Sequence, residues 1–190
     1  DKHLYSPVSV PYLAWSLLAG MTSICIIGLL MSELTFLPNL LDQTFDILQS
    51  GWLGILCISV LGPVLEELLF RGAITKELLR RYSPAKAILF SGLIFGIYHG
   101  NIVQGIYASI LGTAFAWILE MSGNIYSSML LHMGANIWSL LISEYALDLY
   151  SMKYGVQILI LIYLILLISV VYCLTHFEKM CSIRKKKRMI

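Results

Sequence analysis

Long apolar runs recur along this sequence, roughly 16 to 25 residues each, and a helix needs about 20 residues to cross a hydrocarbon core of about 30 Å. Inside a bilayer no water satisfies the backbone, so only helices and closed barrels can span it. The alternating segments of about ten residues that barrel strands require are absent. Helices therefore carry the crossing. A chain that is 58% hydrophobic and only 13% charged, with a mean hydropathy of +0.81, reads as an all-α polytopic membrane protein rather than a soluble domain. Cys25, Cys57, Cys173 and Cys181 show no CxxC spacing, and three of the four lie in apolar runs. They read as small buried hydrophobes, not as a disulfide framework or a zinc cluster. The sequence opens on Asp1, which leaves open whether a segment precedes it.

About six spans are expected, forming a single membrane domain over residues 1–190. The first runs from Pro11 to Met31, followed by an acidic loop with Glu33, Pro38, Asp42 and Asp46. The second starts near Gly51 and continues as an amphipathic stretch through Lys76, Arg80 and Arg81. The turn Tyr82-Ser83-Pro84 ends it, because a residue before proline is pushed out of the helical region. The others cover Ala85 to Asn101, Gln104 to Met121, Asn124 to Ser143 and Gly155 to His176, and a basic tail closes the chain over 177–190. Gly92, Gly96 and Gly100 are spaced four apart, which brings a neighbouring backbone close to the third helix.

Lys76, Arg80, Arg81 and Lys86 cluster between the second and third spans, and Arg184 to Arg188 crowd the tail. Acidic residues dominate the loops after the first and fifth (Glu33, Asp42, Asp46; Glu144, Asp148). Parity puts both basic segments on one side, which the positive-inside rule makes cytoplasmic. The tail is expected to attract anionic lipid, and no nucleic-acid partner is indicated.

Into this apolar background the stretch Glu66-Glu67-Leu68-Leu69-Phe70-Arg71-Gly72 inserts three charges. A charge within a span costs several kcal/mol unless paired or solvated, so such residues mark functional sites by default. Glu67 and Arg71 stand at i and i+4, a spacing that pairs them. Glu66, about 100° round the helix, is then free to face a cavity. Pro63 removes one helical hydrogen bond and would free the carbonyl of Ser59, bending the helix ahead of Glu66. His99 lies as far beyond the Tyr82-Ser83 turn as Glu66 lies before it, so in a helical hairpin both stand about 25 Å from the turn. His132 and Asn136, again i and i+4, share a face at compatible depth. By contrast Glu120, Glu144, Asp148 and His176 read as interfacial, and Tyr98, Trp52, Trp117 and Trp138 as packing or belt residues.

Glu66-Glu67-x-x-x-Arg71, then Phe95-x-x-x-His99, then His132-x-x-x-Asn136, in this order on successive helices, resembles the CPBP family of intramembrane proteases, also called the CAAX protease and bacteriocin-processing or Abi family. The resemblance covers about 51–143, the expected catalytic core. It implies peptide-bond hydrolysis within a membrane cavity open to the cytosol, in a bundle of about six helices. Glu66 and His99 would activate a water, and His132 and Asn136 would stabilise the oxyanion. Glu67 and Arg71 would shape the site, with Phe95 packed beside His99. That division of roles is chemically sound: a Glu and a His can deprotonate water, while a His and an Asn can donate to an oxyanion.

A divalent metal stays open at this point. Glu66, His99 and His132 form a Glu-His-His set of the kind zinc accepts, yet no HExxH is present and a Glu/His-activated water needs no ion. The expected substrate is a small peptide or a membrane-anchored protein. The resemblance suggests peptide maturation or bacteriocin self-immunity in bacteria and cleavage after a prenylated cysteine in eukaryotes, and the short loops favour a compact bacterial member. Two other classes compete: a non-catalytic partner of a membrane protein such as a sensor kinase, and a proton-coupled transporter, which would predict internal repeats that the sequence lacks.

Overall fold

The computed structural model describes residues 4–31 and 49–155, with scattered positions from 157 to 168. Every regular element among them is helical: α1 (Val10–Met31), α2 (Trp52–Arg81), α3 (Pro84–Tyr98), α4 (Ile102–Ser122) and α5 (Ile125–Ser151). α1 as far as Gly28, α2 and α4 are each long and apolar enough to cross a membrane. The all-α polytopic fold expected from the apolar runs is therefore the one observed. The acidic 32–48 loop, most of the sixth span, His176 and the basic tail lie outside the described residues.

Local chemistry sets the helix ends. Tyr82 and Ser83 are extended, and Pro84 opens α3, where its missing N–H is not needed. α3 stops at Tyr98, earlier than the sequence suggests, because Gly100 takes a left-handed turn (φ 64) and Asn101 then caps α4 by accepting from the Gln104 amide. Gly123 (φ 61) caps α4 in the same left-handed way. α5 does not stop near Ser143. It runs on to Ser151, through a stretch expected to be a loop.

Two π-helical turns interrupt α2, at Cys57–Leu61 and Phe70–Thr75. In the first, the Gly62 amide reaches the Cys57 carbonyl, five residues back. One residue on, this register asks for an N–H at Pro63, which has none. The carbonyl left without a partner is therefore that of Ile58, not of Ser59 as α-helical counting suggests, and Asn136 Nδ2 of α5 donates to it at 2.8 Å. In the second turn, Thr75 Oγ1 donates to the Phe70 carbonyl at 2.8 Å and shares a hydrogen bond of 2.6 Å with Ser91 of α3.

Glycines set the closest helix contacts. A Cβ on Gly92 would lie 2.7 Å from the Ser109 carbonyl, and one on Gly96 would strike Ser109 and the Gly105 carbonyl, so α3 lies directly on α4. Gly100, by contrast, has open space around it and serves the turn rather than the packing. A second crossing, unremarked in the sequence, joins α1 to α5: a Cβ on Gly20 would run into the Leu131 carbonyl, and one on Gly134 into that of Leu17. The N-terminal segment is tied to the α4–α5 turn, with Asn124 Nδ2 donating to the Ser6 carbonyl at 2.7 Å and the Ile125 amide to Leu4 at 2.8 Å. Phe70, Phe95, Phe115 and Ile118 form the centre of the core.

Candidate active site

A cavity of about 740 Å³ lies among the helices. Glu66 and Pro63 of α2, Phe95 and His99 at the end of α3, Phe115 of α4, and His132 and Asn136 of α5 all line it. Its volume is that of a small-ligand pocket, large enough for a few residues of extended peptide.

Behind the cavity wall sits a buried charge network. Glu67 and Arg71 are both fully buried, and Arg71 Nε lies 3.1 Å from Glu67 Oε2. Arg71 Nη2 also donates to the Gly112 carbonyl at 2.7 Å. Its guanidinium carbon stands 4.7 Å from the centre of the Phe95 ring and 5.2 Å from that of Phe115, a cation–π cage that holds the part of the head without hydrogen-bond partners. The Ser128 hydroxyl donates to the same Glu67 Oε2 and lies 3.0 Å from the Phe115 carbonyl. Glu67 Oε1 accepts from His132 Nδ1 at 3.0 Å. A single carboxylate thus gathers Arg71, Ser128 and His132.

Both histidine rings are fixed through Nδ1. His99 donates to the Phe95 carbonyl at 2.8 Å and His132 to Glu67, so each presents Nε2 as its free nitrogen. Aromatic packing adds a second constraint: Phe115 stacks on His132 at 4.5 Å between centroids, and Phe95 meets His99 edge-on at 4.8 Å. Glu66, a quarter exposed, places Oε2 3.7 Å from His132 Nε2. His99 lines the same cavity as Glu66 and His132.

All seven site residues expected from the sequence, Glu66, Glu67, Arg71, Phe95, His99, His132 and Asn136, meet in this one region. The helical spacing of Glu67 and Arg71 does produce an ion pair. Two contributors carry no sequence signal, Ser128 and Phe115, because their partners lie on other helices. Cys57 also departs from expectation: it is exposed and lines the cavity, while Cys25 is buried and accepts from Trp138 Nε1 at 2.8 Å. Trp52 is 72% exposed, and Tyr98, 59% exposed, meets the Phe70 ring edge-on at 5.2 Å. Glu66, His99 and His132 all line the cavity, and among the described residues no group of three His, Cys, Asp or Glu side chains is gathered tightly enough to hold an ion as placed.

Residues 48–138 match the type II CAAX prenyl endopeptidase Rce1-like family. The chain is also similar to the "Putative membrane peptidase YdiL" of Bacillus subtilis (strain 168), with 31% identity over 91 residues. That match takes in 48% of this chain and 37% of the relative, so the chain spans well under half the length of that protein. No solved structure matches. The matched segment contains the three motifs and most of the cavity lining.

Proposed function

We propose that this chain, Rce1-like over residues 48–138, is an intramembrane endopeptidase that uses a water held between Glu66 and His99. The observation that carries the reading is the convergence of Glu66, His99, His132 and Asn136 on one cavity. His99, with Nδ1–H given to a backbone carbonyl, turns an Nε2 lone pair toward the cavity. Together with the Glu66 carboxylate it can take the proton of a water attacking a peptide carbonyl. As the tetrahedral intermediate forms, the charge on its oxygen needs donors fixed in advance. Asn136 spends one N–H on Ile58 and keeps a second. His132 is oriented by Glu67 at Nδ1, with its Nε2 3.7 Å from Glu66 Oε2. The His132 ring and the Asn136 amide are the groups this scheme assigns to the oxyanion hole.

Glu67 is the support beneath this arrangement rather than a reacting group, held by Arg71 and Ser128. Hydrolysis proceeds without a metal in this scheme. The catalytic unit is 51–143 within one membrane domain, and the substrate is a small peptide or a membrane-anchored protein. The role we propose for it is peptide maturation or bacteriocin self-immunity.

The test is Glu66→Gln and His99→Ala, with cleavage of a candidate peptide and the cellular phenotype measured on the same strains. Both variants should insert normally and lose cleavage and phenotype together. A phenotype that survives in normally inserted variants would overturn the protease reading in favour of a non-catalytic partner role.

A further inference from the structure

α4 presents two different faces to its neighbours. Gly105, Ser109 and Gly112 pack on Gly92 and Gly96 of α3, and a Cβ on Gly112 would lie 3.2 Å from Gly92 Cα. The adjoining face lines the cavity with Gln104, Tyr107, Ala108, Leu111 and Phe115, three or four residues apart along one helical stripe. Backbone contact this close fixes the rotation of α4, and with it the direction of the stripe. From Phe115, which stacks on His132, to Gln104 the stripe covers about 16 Å, the length of roughly five residues of extended peptide.

Two side chains of the stripe are polar and unused by the hydrolytic scheme. Gln104 is joined to His99 by a short, bonded turn: the Gly100 amide donates to the Ile97 carbonyl, and the Asn101 side chain accepts from the Gln104 backbone amide. Gln104 is therefore held in a fixed relation to the histidine of the water site. Tyr107 stands one turn further along α4, its ring packed against the core. Among the described residues neither the Gln104 carboxamide nor the Tyr107 hydroxyl has a hydrogen-bond partner. Polar groups at membrane depth are costly, and where they occur they face a cavity and mark ligand paths.

The chemistry of the pair selects its ligand. A carboxamide offers two donors and an acceptor, and a phenol one donor and an acceptor, a neutral set that matches the N–H and C=O of a peptide main chain. A terminal carboxylate would need a cation instead. Among the described residues no Lys or Arg lines the cavity, and the sequence holds none between Lys2 and Arg71 or between Lys86 and Lys153. Arg71 itself is buried against Glu67. We propose that Gln104 and Tyr107 form a subsite that binds the main chain of an extended substrate peptide beside the scissile bond, reading backbone rather than a chain end. That the bound chain is then cleaved rests on the protease reading; the binding itself does not.

Binding is measured on the Glu66→Gln protein in detergent, where no turnover interferes. The probe is an end-blocked, fluorophore-labelled peptide of about ten Ser and Val residues, uncharged and prone to extended structure. A second peptide of the same sequence is N-methylated at its main-chain amides. Tyr107→Phe, which keeps the ring and its packing, and Gln104→Ala, added to this parent, should each weaken binding of the first peptide by roughly two- to tenfold, the worth of one neutral hydrogen bond. N-methylation should weaken binding at least about fivefold in the parent and at most about twofold when both substitutions are present. No saturable binding to the parent, unchanged binding in either single variant, or an equal N-methyl penalty in both backgrounds would each overturn the proposal. A cellular phenotype that survives Glu66→Gln would overturn the protease reading alone, since this assay needs no cleavage.

Discussion

Glu67 Oε1 accepts the Nδ1–H of His132 at 3.0 Å, a hydrogen bond that fastens α2 to α5 inside the membrane. Because the other oxygen of the same carboxylate holds Arg71, the state of the ion pair is passed directly to a ring at the cavity wall. One carboxylate thus links the buried ion pair to the cavity lining.

Arg71→Ala should therefore lower both accumulation and activity. It leaves Glu67 as an uncompensated buried charge, and breaking a buried pair in this way costs about 3–5 kcal/mol. Protein level in the membrane and thermal unfolding in detergent are the readouts. Normal accumulation with full activity would remove Arg71 from this role.

Ser127 and Ser128 are adjacent, fully buried and opposite in expectation. Ser128→Ala removes a donor from an ionised group and should cost about 1.5–3 kcal/mol, with a loss of cleavage through His132. Among the described residues Ser127 Oγ has no hydrogen-bond partner, so Ser127→Ala should leave stability unchanged or raise it. Unfolding temperatures of the two variants side by side decide the matter, and equal shifts would refute the assignment.

For Asn136→Ala two losses are expected at once. Removing one oxyanion donor lowers kcat by about 10²–10³-fold, and leaving the Ile58 carbonyl unsatisfied costs about 1–3 kcal/mol. A variant that loses stability but keeps kcat would confine Asn136 to bridging α2 and α5.

Glycine substitutions on neighbouring helices should separate packing from conformation. Gly92→Ala puts a methyl group 2.7 Å from the Ser109 carbonyl and the Thr113 amide, an overpacking worth about 1–3 kcal/mol. Gly72 has 3.8 Å to its nearest neighbour, Ile125 Cδ1, so Gly72→Ala should be neutral or stabilise by up to about 1 kcal/mol. Thermal unfolding of both variants reads this directly.

A metal-free water mechanism predicts that purified enzyme keeps its activity in a strong chelator. Activity that disappears in chelator and returns with zinc would instead require the Glu66, His99 and His132 side chains to draw together around an ion.

Much of the architecture can be read from local sequence. Run length gives the spans, Pro84 and Gly123 mark turns, and the Glu67–Arg71 pair follows from spacing on one helix. Relationships between helices are harder, because they depend on how far each helix is rotated. A π-turn adds a residue without changing the sequence pattern. That is why Asn136 is bonded to Ile58 when α-helical counting frees Ser59. The Gly20 and Gly134 contact was hidden for a related reason: neither glycine has a partner four residues away on its own helix, and only the crossing pairs them.

The packed layer of Glu67, Phe70, Arg71, Thr75 and Ser91 also bears on bioenergetics. Each 100 mV across the insulating part of a bilayer is worth about 2.3 kcal/mol per elementary charge, so a hydrated proton path beside a cavity lined with His and Glu would be costly to a cell. In this layer no residue is more than 1% exposed, and Glu67 and Arg71 pair at 3.1 Å. Substitutions that loosen it should therefore raise the proton leak of reconstituted vesicles, a cost separate from any loss at the cavity.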